Sequence, residues 1–404
     1  MEPWRRDTGT GGLKLMSVTE TSAPGRNVAV LRKQRGMSQV KLARAAGVSV
    51  SLLSKVEIGD RALTQGVAAA LARALDVGLD ELLGAVPVGR HDEESLRELR
   101  SAIRRFDLPG EAPTDLDALR RDLAHLTKLR GDADLSGVLE KLPDLLTRVT
   151  HHAHTAGTPD AWAKVSEVYS TVYWLAARHR WMDLAELAVL KQRLAAERAD
   201  PLTTAVAARD EAGTFLNSGD FAGGLAVVDR AIAHVESHLR GRERFLALGL
   251  LHLRGLTLAG RERDNAEAER HMAAAWRAAE EIPRDVNVHG IHFGPENTAV
   301  HVVATYADLE RHRKALEVTD DLRRRPLTLP ATRISPLHMN TARAKLALRD
   351  RDGALESLVD AWDTAPQMAR VHPTSQELLR VLIALHRRSN PALVRLAKKA
   401  GLPV

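Results

Sequence analysis

The chain is predicted to be all-α, with a small bundle of five short helices near the N-terminus followed by a long array of helical hairpins. Three observations predict this. Apolar residues recur at three- and four-residue spacing from residue 26 almost to the end. Breaks such as Ser218-Gly219-Asp220 and Asp350-Arg351-Asp352-Gly353 cut the second part at intervals of about 40 residues, the mark of a repeat array. No stretch alternates polar and apolar residues over the length of a strand. At 404 residues the chain exceeds what one hydrophobic core supports, so two or more domains are expected.

The N-terminal elements come first. Val28 and Leu31, then Leu42, Ala43 and Ala46, then Leu52, Leu53 and Val56 give each short helix one apolar face. Ser38 stands where an N-cap belongs, because its hydroxyl can accept an orphan backbone N–H. Gly47 falls at a sharp turn, where a left-handed conformation costs only glycine nothing. Ser49 caps the next helix, Val50 to Glu57, and Gly59 ends it. This is a helix-turn-helix layout, whose second helix enters the major groove of DNA while the first crosses the backbone. Charge agrees. Residues 26–61 carry eight basic side chains against Glu57 and Asp60, a surplus equal to the +6 of the entire chain. A phosphate-facing surface needs that concentration. The same layout would also serve a protein-docking module.

Residues 26–84 resemble the Cro/phage-repressor (Xre) family, which implies a lambda-repressor-like five-helix DNA-binding domain. By that resemblance Gln39 matches the glutamine that bonds a backbone phosphate, and Val50, Ser51, Ser54 and Lys55 fall on the face that reads base edges. Arg32 and Glu57 match a paired arginine and glutamate linking the first helix to the end of the third. With Ser49 and Arg61 added, the expected DNA-contacting set is Arg32, Gln39, Ser49, Val50, Ser51, Ser54, Lys55 and Arg61. Side-chain chemistry fits: Lys55 could donate to guanine O6/N7, Val50 could touch a thymine methyl, and the serines permit close approach. Val and Ser stand where family members often carry Gln or Asn, so the operator sequence is not specified.

Residues 1–25, rich in Gly, Thr and Ser, are expected to be a flexible arm, and 85–91 a linker. There is no cysteine, hence no disulfide or thiolate metal site, which fits a reducing cytoplasm. No run approaches 18 apolar residues, so no membrane span is expected. His151, His152 and His154 lack a carboxylate or thiol partner at ligand spacing and are read as a solvated helix end. Neither a Walker loop, a nucleophile elbow nor a convincing carboxylate pair is present. Catalysis, a cofactor and a metal are therefore not expected.

The region 92–404 reads as a repeat domain. Amphipathic helices at 92–106, 114–130 and 133–154 precede hairpins at 160–179/182–199, 202–217/220–238, 243–260/264–281, 295–310/312–324, 335–349/352–364 and 373–388/391–400. Ala344, Leu346 and Ala347 before a turn, then Ala354, Leu355, Leu358, Ala361 and Trp362, give the apolar-and-small signature of tetratricopeptide-like repeats. Such pairs stack into a superhelix with a concave groove. The combination resembles tetratricopeptide-containing Xre regulators of high-GC bacteria and, more distantly, the peptide-sensing RRNPP group; 46 of the 58 basic residues are Arg, which suits a GC-rich genome. The stretch from Phe293 to His301 is similar to a Phe-Gly-Pro-(Thr)-Asn-Val-x-x-His segment of those regulators, departing at Glu296 and Thr298.

Pro295 suits a first helical position, and Asn297 and His301, four apart, share one face. Phe293, Asn297 and His301 are therefore expected to contact an effector, or else to fasten the 283–294 insertion. Trp162, Tyr169 and Tyr173 form one helical stripe with Arg178 nearby, either an aromatic wall for a ligand or plain core. The expectation is a homodimeric regulator of a palindromic double-stranded operator, with a peptide or small-molecule effector in the groove. A DNA-tethered scaffold that binds a partner protein is the alternative.

Overall fold

The computed structural model describes residues 24–84, 90–108, 110–385 and 390–400. Five short helices come first: α1 (Pro24–Gln34), α2 (Gln39–Ala45), α3 (Val50–Ile58), α4 (Gln65–Leu75) and α5 (Leu79–Leu83). They enclose a core of Val28, Leu42, Leu53, Val56, Val67, Leu71, Leu75 and Leu82. The Ser38 hydroxyl accepts from the Lys41 amide and that of Ser49 from the Leu52 amide, both at 3.1 Å. Gly59 closes α3 at φ 85°, a left-handed C-cap that would strain any residue with a Cβ. Helix α1 begins at Pro24, inside the expected arm, whose remaining residues lie outside the described ones. Of the expected linker only residues 90 and 91 are described, and they open the next helix.

Then come α6 (Arg90–Arg104), α7 (Leu116–Gly131) and α8 (Leu135–Ala156), followed by antiparallel hairpins. These pair α9 (Pro159–His179) with α10 (Met182–Ala196), α11 (Pro201–Ser218) with α12 (Phe221–His238), and α13 (Gly241–Glu262) with α14 (Asn265–Glu280). Next α15 (Pro295–Asp308) pairs with α16 (His312–Arg323) and α17 (Ala331–Ala347) with α18 (Arg351–Thr364). The array ends with α19 (Pro366–Val371), α20 (Pro373–Leu385) and α21 (Pro391–Ala400). Its core is a chain of clusters shared between neighbouring hairpins: Val206 of α11, Leu250 and Leu253 of α13 and Val302 of α15 belong to one of them. This is the one-dimensional packing of a tetratricopeptide-like α-solenoid. Three helices start the same way, with Asp134, Asp220 and Asp350 each accepting from the amide of a glycine three residues on, at 2.9–3.0 Å.

Two features depart from the sequence expectation. A β-hairpin of β1 (Val286–Val288) and β2 (Ile291–Phe293) stands before α15. Its turn places His289 at φ 46° and Gly290 at φ 77°, the paired positive values of a mirror-image two-residue turn. Helix α19 is the second, started by Pro366 in a segment read as a connection.

Helix α19 brings the end of the array back to its beginning. The Gln367 amide donates to Asp134 at 2.8 Å and accepts from the Ser136 N–H at 3.0 Å, while Ala365 and Met368 cluster with Ala133. Helix α17 likewise touches α7, and α19 touches α9. The superhelix is thus a closed ring. The five-helix head sits on it: α4 lies against α13 and α5 against α11. The Leu63 amide donates to buried Glu377 at 3.1 Å, Arg73 to the Gly219 carbonyl at 2.7 Å, and Arg180 to the carbonyls of Leu83 and Gly84. Gly66 meets the Arg261 carbonyl so closely that a Cβ there would not fit.

Candidate DNA-binding surface and central cavity

Helix α3 packs on α1 and α2 through Leu53 and Val56 and turns its other side outward. Ser49, Ser51, Lys55 and Arg61 are exposed, Val50 keeps 40% of its surface and Ser54 is half-buried. The repeat ring meets the head mainly through α4, α5 and the Leu63 segment, and Arg61 stands at the edge of a crevice shared with Arg263, Glu310 and His312 of the ring, away from Val50, Ser51 and Lys55. A short rod with a lysine at its centre, small hydroxyl groups beside it and an apolar tip at Val50 can enter a major groove, with Lys55 donating to base edges.

Arg32 is placed differently from the DNA-contact expectation. Its Nε and Nη2 donate to the two carboxylate oxygens of Glu57 at 2.7 and 3.0 Å, and its Nη1 donates to the Met37 carbonyl at 2.9 Å. Gln39 adds a donation to Glu57 at 2.8 Å and is half-buried. Burial pushes the Glu57 carboxyl up, but hydrogen bonds from Arg32 and Gln39, with their charge, hold it below its ordinary value. Arg32 therefore ties α1 to the end of α3, the pairing that the family resemblance implied, with each of its three nitrogens donating one hydrogen bond. Gln39 is the first residue of α2, and its side-chain amide is engaged with Glu57.

The second feature lies between head and ring. A cavity of about 270 Å³ is walled by the inner helices α7, α9, α11, α13, α15, α17 and α19, and roofed by Gln65, Leu79 and Leu83 of the head. Of the expected effector residues, Tyr173, Arg178 and His301 line it. Phe293, Asn297, Trp162 and Tyr169 do not, and the reason is packing. The Phe293 ring is fully buried against Gly249, and Asn297, 1% exposed, donates to the His292 carbonyl at 2.7 Å. Asn297 thereby fastens the β-hairpin to α15. Trp162 and Tyr169 pack against Phe106 with ring centroids 6.0 and 5.7 Å apart. They are core.

Residues missed by sequence reasoning complete the cavity: Arg130, Arg209, Asp210, Arg254, Arg261 and Arg333. Each sits on an inner helix, and the recurrence of arginine on first helices was the available signal. Asp210 is engaged at both oxygens, accepting from Arg209 at 2.6 Å, Ser170 at 2.7 Å and Gln192 at 3.2 Å. His301 is held neutral, pushed far below its ordinary value by burial and then by Arg333, Arg209 and Arg254; it shares a hydrogen bond with Thr257 at 3.2 Å. Elsewhere, Asp229, Glu267 and His271 come together at metal-ligand spacing, but Arg270 bridges both carboxylates. His151 and His154 are bonded to the carbonyls of Glu111 and Phe106.

Comparison with known proteins agrees with the head. Residues 28–82 match the helix-turn-helix family profile. Over 58 residues, 14% of this chain and 84% of the relative, the sequence is 36% identical to the uncharacterized HTH-type transcriptional regulator YazB of Bacillus subtilis (strain 168). Among solved structures, that of the PrgX/iCF10 complex aligns over 95% of this chain and 98% of its own at 9% identity and TM-score 0.25. The apo form of the competence regulator ComR from Streptococcus vestibularis aligns over 95% and 99% at 13% identity and TM-score 0.17. Scores of that size say nothing about shared topology. Capped helices, an α3 that presents Lys55 outward and the sequence match converge, and the chain belongs to the helix-turn-helix family of DNA-binding transcriptional regulators.

Proposed function

We propose that the protein is an effector-responsive regulator: residues 26–84 bind a palindromic operator, and 92–404 hold the effector and the homodimer contact. The observation that carries this reading is the shared wall of the cavity. Gln65, Leu79 and Leu83 of the head close a space otherwise built by inner-ring helices, so a molecule filling it touches both units. An effector with different affinities for two placements of the head shifts operator affinity by that difference, typically about 5- to 150-fold. Dimerisation is part of the proposal because one recognition helix spans only a few base pairs. The closed ring favours a small molecule over a partner domain as the occupant. A cytoplasmic location follows from the reading; among the described residues no helix is long and apolar enough to cross a membrane.

The test is selection of duplexes from a random pool by the purified full chain, followed by gel shifts of wild type and Lys55→Ala. Wild type should enrich a palindrome. The variant should lose about tenfold or more in discrimination while keeping its steep salt dependence. Absence of any preferred duplex overturns the proposal.

A further inference from the structure

The central cavity carries far more positive charge than its neighbours neutralise. Seven arginines line it against one acidic side chain, Asp210. Arg209 is paired with Asp210, and Arg261 with Asp308 at 3.1 Å. Arg130, Arg178, Arg254 and Arg333 form no ion pair among the described residues, although they come from α7, α9, α13 and α17 and converge on one space. Cations withdrawn from water without counter-charge are costly, and an anion arriving from outside would offset that cost.

What holds these guanidinium groups is neutral and aims them inward. Arg178 lies 4.2 Å over the Trp174 ring and donates to the Trp174 carbonyl at 2.8 Å. Arg130 donates to Thr171 at 3.0 Å, and Arg254 to the Arg209 carbonyl at 3.1 Å. These bonds use one N–H from each fork and leave others to the cavity. The Nε atoms of Arg178 and Arg333 are buried without a hydrogen-bond partner. Burial, then the like charges of Arg209, Arg130 and Arg254, push the Arg333 guanidinium down to about 9. Burial, followed by Arg254, brings Arg209 to about 10. Both stay charged at neutral pH.

We propose that this cavity binds a small polyanion, a phosphate ester or a polycarboxylate, clasped by Arg130, Arg178, Arg209, Arg254 and Arg333. Planar forks donate pairwise to phosphate or carboxylate oxygens, and five of them around one space suit a compact ligand with at least two negative charges. Leu79 and Leu83 of the head add an apolar side to the cavity, and the lower local dielectric there strengthens charge-assisted contacts. Bridging five helices, the anion draws the inner wall together under the head. As the effector of the function proposed above, the polyanion rests on that reading for its consequence at DNA; its binding does not.

The experiment uses the full chain without DNA. Tripolyphosphate, ATP and citrate are titrated by calorimetry and by melting temperature, against adenosine and against sodium chloride at matched ionic strength. At least one polyanion should bind at one site per chain and raise the melting temperature, while adenosine and chloride should not. Tripolyphosphate above citrate assigns a phosphate ester, and the reverse order a polycarboxylate. Arg333→Gln should weaken binding about tenfold or more while leaving the unliganded melting temperature equal or higher, because it removes like-charge repulsion. Arg333→Lys, which keeps the charge, should recover part of the affinity. No binding by any of the three polyanions overturns the proposal, and so does binding that Arg333→Gln leaves intact. Operator affinity is then measured with and without the best polyanion. Binding without a change at DNA leaves this inference standing and removes effector control of DNA affinity. An uncharged effector that alters DNA affinity, with no polyanion bound, does the opposite.

Discussion

Arg32→Ala separates a structural arginine from a DNA contact. The side chain is 11% exposed and its partner Glu57 only 5%, so the pair is largely out of water. Removing Arg32 deletes two charge-assisted hydrogen bonds and leaves Glu57 with Gln39 as its remaining side-chain donor. Breaking a buried pair on one side costs roughly 3–5 kcal/mol, and the surviving glutamine sets the expectation at the lower end, about 3 kcal/mol. Residues 24–84 contain no aromatic side chain, so fluorescence does not see this unit, and amide hydrogen exchange is the assay. Protection in α1 and α3 should fall by roughly a hundredfold. The loss has a pH signature. Glu57 sits below its ordinary 4.5 in the folded chain, so the pair stabilises above that value and is lost as pH falls through the lower folded one. Wild type and variant should therefore converge in acid. Unchanged protection, with the salt slope of operator binding reduced by about 1, would instead make Arg32 a phosphate contact and refute the reasoning.

Asn297→Ala should lower the melting stability by about 1–2 kcal/mol, because it removes the bond to the His292 carbonyl, and should leave ligand affinity of the folded protein intact. An unshifted melting curve with lost ligand response would return Asn297 to the binding site. Burial pushes His252 and His372 down to about 3 and His271 to about 4, so all three fold neutral. Their folded values lie below the ordinary 6.5, so the unfolded chain takes up more protons and stability falls as pH drops from about 6.5 toward 4. Each group contributes about 1.4 kcal/mol per pH unit in that window. Urea titrations at pH 7, 6 and 5 measure the slope, and a flat profile contradicts the assignment.

The head was legible because its signals are local. Ser38, Ser49 and Gly59 cap as their positions imply, and the apolar spacing from Val28 to Val56 marks the faces that became core. Hairpin limits in the array were legible for the same reason, α9 and α12 being read within a residue at either end. The β-hairpin was hidden by its length. Val286, Val288, Ile291 and Phe293 alternate around His289-Gly290, but three-residue strands fall below the window in which period two stands out from chance. The cavity was invisible for another reason. Arg130 and Arg333 are 203 positions apart, and only ring closure brings them together. Aromatic clustering pointed toward α9, yet Trp162 and Tyr169 face the neighbouring helices whereas Tyr173 and Arg178, farther along, face the centre.

Closure of the ring also bears on how the array comes apart. An open solenoid melts from its tips, since each terminal repeat has a single neighbour. Here the Gln367 amide staples Asp134 and Ser136, so opening the hoop between α8 and α19 must undo a contact between segments more than 200 residues apart. Gln367→Ala should convert one concerted thermal transition into a staggered one. It should free the helices nearest the seam while the opposite arc around α13 keeps its order, turning a hoop into a spring.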